Sequence, residues 1–547
     1  MNAVILAHPH DIKLFNKKDE NLRFYAYNYH TYQELRKDVP KISYINDKLN
    51  LKSYDDFSIF VCRNWFKKNR DKNLRLQKIS LGNIIHARLI NEFSNLIKNY
   101  ILIKKILSCN TKIFFPQQNT IYIRHILELF PNKIKFYKSS NNLQSLLLTN
   151  NLKSQIIPLP RIHKYSKLAK LIQYIFFQKK INKILYYPEP RTKSFFSKFA
   201  NILSLNSVIP WKSFYFNLCI DYNKKVKSII DFNYLEDLNQ FIDANQNTNN
   251  QNFFLILRKC INSIIKNNKK NILRTLAIYF ELYETYKPRA IILPGVLNFD
   301  YAVALELAKI KKIKTLIALD GILTNYCESE YNENYIFDKI LAWGNENKIL
   351  LKNHNIRKKD IILSNPYLKK TLVNSNKSRK YIIVLPLYHY SNKVSAHSDK
   401  CPHHTIDILK TINNLGKNKI ILKLKKGNYN LDFEENIYKK YIKKYNLMNI
   451  IIRKDNIENI LNDAKYIIGQ CSTVIYEATV NNIPYHVYEP YDLGLSLNDI
   501  KKSNLLNASL VSRTKKQLIA NLSKKNKSSL NKSKKQIFKG INLKKIF

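Results

Sequence analysis

Short apolar runs rich in β-branched residues alternate with amphipathic stretches from about residue 280 onward. The runs RAIILPG, IKTLIALDG and KILAWG predict strands that end at Gly295, Gly321 and Gly344, and DYAVALELAKIKK predicts a helix after the first of them. Strands that alternate with helices and turn at their carboxyl ends are typical of a parallel, doubly wound sheet. We therefore expect an α/β fold in this part of the chain.

The same pattern restarts after a polar stretch near residue 375. Strands are predicted at YIIVLPLYHY, KIILKLKKG, NIIIRKD, YIIGQ and IPYHVYEP, with helices at HTIDILKTINNLG and STVIYEATVNN. This regularity predicts a second α/β domain over residues 376–512. A basic tail, residues 513–547, follows it.

The first 280 residues carry the pattern less regularly. MNAVILAHP is typical of a first strand, YDDFSIFVCRNW, NTKIFFPQ and NKILYYPEP are typical of strands that run into loops, and NEFSNLIKNYILIKKIL is typical of a basic helix. We predict one larger N-terminal α/β domain, residues 1–375, with a helical insertion at about residues 225–285. The expected fold class is α/β, with two Rossmann-like doubly wound domains that face a cleft.

Charge is the most unusual feature of the composition. The chain has 92 Lys and Arg against 40 Asp and Glu, a formal net charge of +52. Such an excess favours anionic partners, either phosphates or lipid headgroups. A compositional bias toward Lys, Asn, Ile and Tyr at every replaceable position explains the same excess, and both interpretations stand.

The C-terminal residues concentrate this charge. Residues 501–547 hold fourteen Lys or Arg and no acidic residue, and apolar residues such as Leu518 and Ile519 punctuate the Lys clusters. This composition suits contact with an anionic membrane, and it suits a solvated tail equally. No RNA-binding signature with interleaved aromatic residues accompanies the charge, so no specific nucleic acid is expected as a partner.

Cysteine usage and hydropathy indicate the compartment. The seven cysteines are scattered singly, so neither a disulfide framework nor a thiolate zinc site is indicated. The apolar N-terminal run is too short for a signal peptide, and no run of about 18 apolar residues follows it. We expect a cytoplasmic protein with peripheral contact at the inner membrane face.

Glycine positions point to a ligand site. Only nine glycines occur in 547 residues, and Gly295, Gly321, Gly427 and Gly469 each follow a predicted strand. Ligands of open α/β sheets bind at the carboxyl ends of strands, where glycine lets the backbone approach closely. Tight turns between strand and helix account for about half of these positions.

The segment Gly469-Gln470-Cys471-Ser472-Thr473 joins a predicted buried strand to a helix. Free N–H groups at the helix start, together with the Ser472 and Thr473 hydroxyls, would bind a phosphate, and simple N-capping is the alternative. Glu477 lies four residues after Thr473, one too many for a capping box. Its carboxylate is placed to accept hydrogen bonds from a ribose diol, or it is an exposed acid favoured by the helix dipole.

A family resemblance sharpens this interpretation. The pattern Gly-x-x-Ser-Thr-x-x-x-Glu-Ala, followed by NNIP, resembles the nucleotide-binding segment of GT-B glycosyltransferases of bacterial surface-polysaccharide synthesis. In that group the Ser/Thr pair contacts the donor phosphate and the Glu contacts the ribose. The resemblance implies these roles for Ser472, Thr473 and Glu477, with Gly469 and Gln470 beside them in the donor site.

A second resemblance concerns the general base. The stretch TLIALDGILTNY resembles the acidic motif of capsule-type Kdo transferases and bacterial sialyltransferases, in which the acid before the glycine is the base. The resemblance places that role on Asp320, although Leu319 replaces the first acid of the motif. An ordinary turn Asp is the alternative.

Where these families carry His-Pro after a strand, this chain has ILKLKKG. Lys423 and Lys425 are the candidate cationic ligands of the donor phosphate there. The chain has no Asp-x-Asp motif, Walker loop or Gly-x-Gly-x-x-Gly. We therefore expect neither a metal nor a cofactor beyond the nucleotide-sugar co-substrate.

The expected function is that of a glycosyltransferase, inverting and metal-independent, that moves a sugar from a nucleotide-activated donor to a surface-glycan or lipid-linked acceptor. Two alternatives stay open. One is a polyol-phosphate transferase or nucleotide-sugar epimerase on the same fold. The other is a basic RNA- or membrane-binding protein with a vestigial site.

Overall fold

Three parallel sheets follow one another along the chain in the computed structural model. The structure describes residues 1–48, 75–76, 79–117, 126, 128–139, 184–187, 202–204, 256–257, 259–260, 272, 275–276, 278–280, 282–284, 286–296, 299–319, 321–323, 331, 335–364, 379–387, 400–416, 419–425, 431–490, 506–524 and 528–530. Each sheet belongs to a separate stretch of sequence, so each organises one region of the chain. We call these regions the first, second and third domains, in chain order.

The first sheet is built from residues 2–137. The chain forms the strands β1 (Asn2–Leu6), β2 (Leu22–Ala26), β3 (Ser43–Tyr44), β4 (Arg75–Leu76), β5 (Ile79–Ser80), β6 (Lys112–Pro116) and β7 (Ile134–Tyr137) in this stretch. Strands β4 and β5 form a separate antiparallel pair, and the other five make up the first sheet. The sheet order is β3-β2-β1-β6-β7, with every pairing parallel. The strand order reverses between β1 and β6, as in a Rossmann-like half.

The second sheet is built from residues 184–363. Its strands are β8 (Ile184–Tyr186), β9 (Ile202–Ser204), β10 (Ala290–Leu293), β11 (Lys314–Ala318), β12 (Lys339–Ala342) and β13 (Ile361–Leu363). The order is β13-β12-β11-β10-β8-β9 and all pairings are parallel. Strand β10 is buried at every residue, as expected for a central strand covered on both faces.

The third sheet repeats the order of the first. Its strands are β14 (Tyr381–Val384), β15 (Lys419–Lys423), β16 (Ile450–Arg453), β17 (Ala464–Gly469) and β18 (Tyr485–Val487). They are ordered β16-β15-β14-β17-β18, again all parallel. The carboxyl ends of β14 and β17 therefore flank the crevice at which the strand order reverses.

Helices connect and cover these strands. They are α1 (Tyr29–Leu35), α2 (Leu81–Cys109), α3 (Phe299–Ile310), α4 (Asn345–Asn353), α5 (Cys401–Asn414), α6 (Leu431–Lys444), α7 (Glu458–Leu461), α8 (Val474–Val480) and α9 (Lys515–Ser523), with 3-10 turns at Pro9–Leu14, Ile45–Lys48, Lys358–Asp360 and Ala508–Leu510. None of the described helices combines the length and apolar character needed to cross a membrane.

One apolar core is continuous across the three sheets. It includes Ile5 of the first sheet, Ile291 of the second and Ile467 of the third, all fully buried. Separate clusters cover the other faces of the first and third sheets. The three regions are therefore packed together by apolar burial, the dominant favourable contribution to folding.

The predicted fold class is confirmed: the chain is α/β with Rossmann-like parallel sheets. Each strand and helix predicted above within the described residues has a counterpart in the structure, including the N-terminal strands at MNAVILAHP, NTKIFFPQ and NKILYYPEP and the basic helix within α2. The strand predicted at YDDFSIFVCRNW lies outside the described residues. The region 1–375 contains two of the sheets, where the sequence suggested one larger domain. Strands β8 and β9 have only three residues each, too few to show a period, which explains why the second sheet was not separated from the first.

The helical insertion predicted at about residues 225–285 is described only from residue 256. The described residues from 256 to 286 are helical, and residues 225–255 lie outside the described part of the chain. The precise domain boundaries stay a prediction.

The C-terminal strand β18 is covered by residues that follow it. The Ser512 amide donates to Val487 O at 2.9 Å, and Ser529 Oγ donates to Tyr485 O at 2.6 Å. Leu518 of α9 is buried in the core of the third domain. Part of the predicted basic tail is thus folded against β18, and Leu518 is not available for membrane contact.

Aromatic rings and histidines join the first domain to the third. His30 Nδ1 and the Tyr441 hydroxyl lie 2.9 Å apart, and the His403 ring meets Tyr29 edge-on with centroids 4.9 Å apart. Two ion pairs flank these rings, Lys400–Asp47 at 3.0 Å and Lys444–Glu34 at 3.2 Å.

The two histidines in this interface are kept neutral by their surroundings. Burial lowers the pKa of His30 to about 4 and that of His403 to about 3, and Lys444 lowers both further. Lys440 also lowers the pKa of His30, while Glu34 raises it. Because the neutral imidazole is favoured in the folded chain, this contribution to stability is present above pH 6.5 and is lost as the pH falls toward 3.

The substitution His403→Phe tests this interface. It keeps a ring against Tyr29 but removes the proton-binding site, so the free energy of unfolding should fall less between pH 7 and pH 5 than in the unsubstituted protein. The difference should approach roughly 1 to 1.5 kcal/mol per pH unit over that range. Urea unfolding across the pH range measures it, with His10→Phe, at an exposed position, as the control. Equal pH slopes for all three proteins would show that His403 is not protonated on unfolding.

Candidate functional site

The carboxyl edge of the second sheet meets the third domain at the loop after β11. The Thr473 Oγ1 accepts a hydrogen bond from the Ile322 amide at 3.2 Å. A Cβ atom on Gly321 would overlap with this hydroxyl. Beside it, the rings of Trp343 and Tyr476 lie with centroids 5.7 Å apart. Gly321 therefore permits the loop after β11 to reach the start of α8.

Asn347 of α4 holds that loop in place. Its Nδ2 donates to Gly321 O at 3.0 Å, and its Oδ1 accepts from the Leu323 amide at 3.0 Å. Trp343 Nε1 donates to Leu319 O at 2.5 Å on the other side of the turn. The ends of β11 and β12 are thus fixed together before they meet the third domain.

Helix α8 begins at Val474 and has only seven residues, so its dipole is that of a short helix. Thr473 is its N-cap residue but makes no side-chain capping bond. The capping alternative is therefore not realised by Thr473, whose hydroxyl oxygen accepts from the neighbouring domain instead.

Two hydroxyls of this region are buried without a partner in the described part of the chain. They are Ser472 Oγ and Tyr476 OH, one helical turn apart in sequence. Buried polar atoms in folded proteins almost always have a hydrogen-bond partner, and an exception calls for a bound water, an ion or a ligand. The start of α8 thus offers hydrogen-bonding groups that the described residues do not use.

Lys423 and Glu477 are two further polar groups at or beyond the carboxyl ends of strands of the third sheet, and they interact electrostatically. Lys423 ends β15, is buried, and donates from Nζ to Leu424 O at 2.5 Å. Burial lowers its pKa, and the carboxylates of Asp455, Glu458 and Glu477 act against that shift. The structure therefore brings a buried ammonium and the predicted ribose ligand into one electrostatic neighbourhood, whereas Lys425 is exposed.

Gly469 and Gln470 have packing roles in the structure. A Cβ on Gly469 would lie 2.8 Å from Leu385 Cβ and 3.3 Å from Leu385 O, so glycine is needed for β17 to pass β14. The buried Gln470 accepts at its backbone oxygen from Tyr485 OH at 2.6 Å. Both residues position the turn that presents Ser472 rather than facing open space themselves.

The other predicted site residues fall elsewhere. Asp320 and Gly427 lie outside the described residues, so their roles stay predictions. Gly295 follows β10 as expected, and a Cβ there would meet only Tyr331 OH at 3.6 Å. Close packing does not require glycine at that position.

Sequence reasoning missed Tyr476, Trp343 and Glu346. Glu346 is buried at the start of α4, and burial raises its pKa to about 7, while the amides of Glu346 and Asn347 act against the shift. The Trp-Gly pair before α4 marks this edge of the sheet, but nothing in the sequence indicates that its ring meets α8. Among the described residues, no three His, Cys, Asp or Glu side chains gather as a metal site would require.

The chain is similar to solved structures at low sequence identity. No protein-family model matches the chain, and no curated protein matches it. Among solved structures, Methanocaldococcus jannaschii UDP-GlcNAc 2-epimerase is 16% identical, with 50% of this chain and 77% of that chain covered and a TM-score of 0.34. Rickettsia bellii UDP-N-acetylglucosamine 2-epimerase is 11% identical, covering 66% and 91% at a TM-score of 0.37.

A third solved structure is the lipopolysaccharide outer core galactosyltransferase WaaB, 12% identical, with 41% of this chain and 63% of that chain covered and a TM-score of 0.27. All three are, by name, enzymes that act on sugars. Similarities this weak carry no argument about the reaction of this chain, and the site must be judged on its own residues.

The contact between Gly321 and Thr473 can be tested by a double-mutant cycle. Gly321→Ala should destabilise the protein by about 1–3 kcal/mol, because the new methyl group overlaps with the Thr473 hydroxyl. In a Thr473→Ala background the same change should cost much less, since the nearest remaining atom is the Cβ at 3.4 Å. Denaturant unfolding measures both, with Gly295→Ala as the control for an uncrowded glycine. Additive effects would show that the two residues do not touch in solution.

Proposed function

We propose that the protein is a glycosyltransferase that binds a nucleotide-activated sugar between the second and third domains. The observation that carries this proposal is the set of polar side chains at or beyond the carboxyl ends of strands of the third sheet. Ser472 Oγ and Tyr476 OH are buried without a partner in the described part of the chain, and Lys423 and Glu477 interact electrostatically. Hydroxyls and an ammonium suit phosphate oxygens, and a carboxylate suits a ribose diol.

The position of this group supports the same proposal. The third sheet reverses its strand order between β14 and β17, and Ser472 follows β17 at that point. Ligands of open α/β sheets bind in the crevice outside the carboxyl ends of such strands. The third domain would hold the nucleotide, and the second sheet's edge at Gly321 would close the site from the other side.

The proposed reaction is a direct displacement. The bond between the anomeric carbon and the donor phosphate breaks, the electron pair leaves with the nucleotide, and the acceptor oxygen bonds to the same carbon. Asp320 takes the acceptor proton as general base. Lys423 and the hydroxyls of Ser472 and Thr473 stabilise the departing phosphate charge. The resemblance noted above supports inversion and a surface-glycan or lipid-linked acceptor.

Nucleotide binding is the first prediction of this proposal. Thermal unfolding at fixed salt with CMP, CDP, UDP or GDP should show stabilisation by one of them, about 2.7 kcal/mol at 100 times its dissociation constant. Glu477→Ala and Ser472→Ala should each reduce the shift, because each removes a proposed contact. Glu435→Gln, which changes a partly buried carboxylate of the same domain that pairs with Lys439 and Lys454, is the matched control. The absence of a shift with every nucleotide would remove the main support for a transferase.

The second prediction is that a change at Asp320 abolishes turnover without abolishing nucleotide binding. Asp320→Asn should abolish sugar transfer while leaving the nucleotide-induced shift in melting temperature near its original size, because a general base contributes to the reaction and not to donor binding. Product analysis of the unsubstituted enzyme by mass spectrometry and NMR identifies the reaction. An isomerised nucleotide sugar formed without acceptor would indicate an epimerase instead. Loss of nucleotide binding together with turnover would contradict the assigned role of Asp320.

A further inference from the structure

Exposed apolar side chains lie at the amino edge of the third sheet, where α5 and α6 end and β15 and β16 begin. They are Leu415 (44% exposed), Tyr445 (40%), Met448 (69%) and Ile451 (46%), and we call them the apolar tip. Met448 is the most exposed large apolar residue in the described part of the chain, and it is the only methionine besides Met1. Because the proposed donor site lies at the carboxyl edge, the length of the strands separates it from the apolar tip.

Direct contacts join the segments that carry the apolar tip. The Met448 amide donates to Asn413 Oδ1 at 3.1 Å, which holds the turn after α6 against the end of α5. Lys410 Nζ lies 3.2 Å from the centroid of the Tyr445 ring and joins the same two helices. Leu415 follows Asn413 by two residues, and Ile451 follows Met448 by three. The apolar tip is therefore one surface rather than four scattered side chains.

The turn that carries Met448 is fixed by its backbone. The Leu447 amide donates to Ile442 O at 3.0 Å, and the Leu447 side chain packs on the core of the third domain. Asn446 and Asn449, on either side, have φ angles of 47° and 59°, in the left-handed region that asparagine adopts more readily than most residues. The turn thus directs Leu447 inward and Met448 outward, so the exposure of Met448 is part of its design.

Cations without a carboxylate partner surround the apolar tip. Lys410, Lys419 and Lys443 make no ion pair with any described residue, and Lys419 and Lys443 are exposed. The Ile420 amide donates to Asn449 O at 2.9 Å, which places the start of β15, and Lys419 with it, beside the same turn. The other Lys and Arg of residues 436–454 form the ion pairs Lys439–Glu435, Lys440–Glu34, Lys444–Glu34, Arg453–Asp455 and Lys454–Glu435. The uncompensated charge at the apolar tip is therefore positive.

Apolar side chains beside unpaired cations fit an anionic lipid surface. Apolar groups enter the boundary between headgroups and acyl chains, while lysines stay at the level of the lipid phosphates. A second copy of the chain would bring like charges together, which disfavours self-association through this surface. A nucleic acid would gain nothing from Met448, and the Tyr445 ring that could stack on a base is already covered by Lys410 and stacked with Tyr441.

We propose that the apolar tip docks the protein on an anionic membrane surface, with Met448 inserted most deeply and Lys419 and Lys443 at the headgroups. This surface is distinct from the basic tail, where the sequence suggested membrane contact. Docking through the amino edge leaves the carboxyl edge of the third sheet uncovered. The proposal does not depend on the proposed transferase function.

Co-sedimentation of the full chain with lipid vesicles, without nucleotide and at fixed salt, tests the proposal. Equimolar phosphatidylcholine and phosphatidylglycerol vesicles should bind the protein, and pure phosphatidylcholine vesicles should bind it much less. Met448→Gln should weaken binding to the mixed vesicles about fivefold or more, because an apolar side chain no longer leaves water for lipid. Leu14→Gln, which changes a comparably exposed residue of the first domain (57%), is the matched control and should leave binding unchanged.

Two further measurements separate the apolar tip from the basic tail and from other partners. Lys443→Gln should weaken binding about fivefold, the loss expected for one lysine at an anionic surface, and Lys105→Gln on α2 should not. The additional emission of Met448→Trp, relative to the unsubstituted protein, should be quenched by brominated acyl chains, since the new ring enters the lipid.

Four outcomes would overturn the proposal. They are no binding to the mixed vesicles, binding undiminished in Met448→Gln, no quenching of Met448→Trp by brominated lipid, and a dimer in sedimentation velocity that Met448→Gln dissociates. The second would assign membrane binding to the basic tail, and the last would assign the apolar tip to a second copy of the chain.

Discussion

The close approach of Gly321 to Thr473 is the constraint on which the arrangement of the site depends. Parallel sheets put their strand ends on one edge, but two such edges face each other only if the loops between them fit. Gly321 provides that fit because it has no side chain to overlap with Thr473. Asn347 and Trp343 hold the loop in place by hydrogen bonds to its backbone oxygens. Thr473 at the start of α8 and the Gly321 turn after β11 therefore belong to one interdomain surface.

The pKa shifts at the strand ends of this protein are caused by burial more than by the net charge of the chain. The formal charge is carried largely by solvated Lys side chains, whereas the groups at the strand ends respond to loss of water. Lys423 is shifted toward its neutral form, and Asp300 and Glu346 are shifted toward theirs. The carboxyl edges of the second and third sheets thus differ in character: the third offers a buried ammonium and hydroxyls, and the second offers carboxyl groups whose proton affinity lies near neutrality.

The sequence was sufficient for the α/β fold and for most strands because buried parallel strands are continuous apolar runs, and those of the third domain are closed by clear turns. It also brought Ser472, Glu477 and Lys423 into one hypothesis; Lys423 and Glu477 interact electrostatically in the structure, and the roles of all three residues stay predictions. It could not show that Gly469 serves packing against Leu385, because that contact joins residues distant in the chain. Tyr476 and Trp343 were missed for the same reason: each looks like an ordinary core or helix residue until its neighbours from other elements are known.

The cover over β18 has a consequence for how the chain behaves before it is complete. An uncovered edge strand presents unpaired backbone groups that can pair with another molecule, and proteins commonly protect such edges. Here the protection comes from Ser512 and from residues 528–530, which follow β18 in the chain and are therefore synthesised after it. Until that segment has emerged from the ribosome, β18 is an open edge strand, so the third sheet completes its protection only after its last strand has been made.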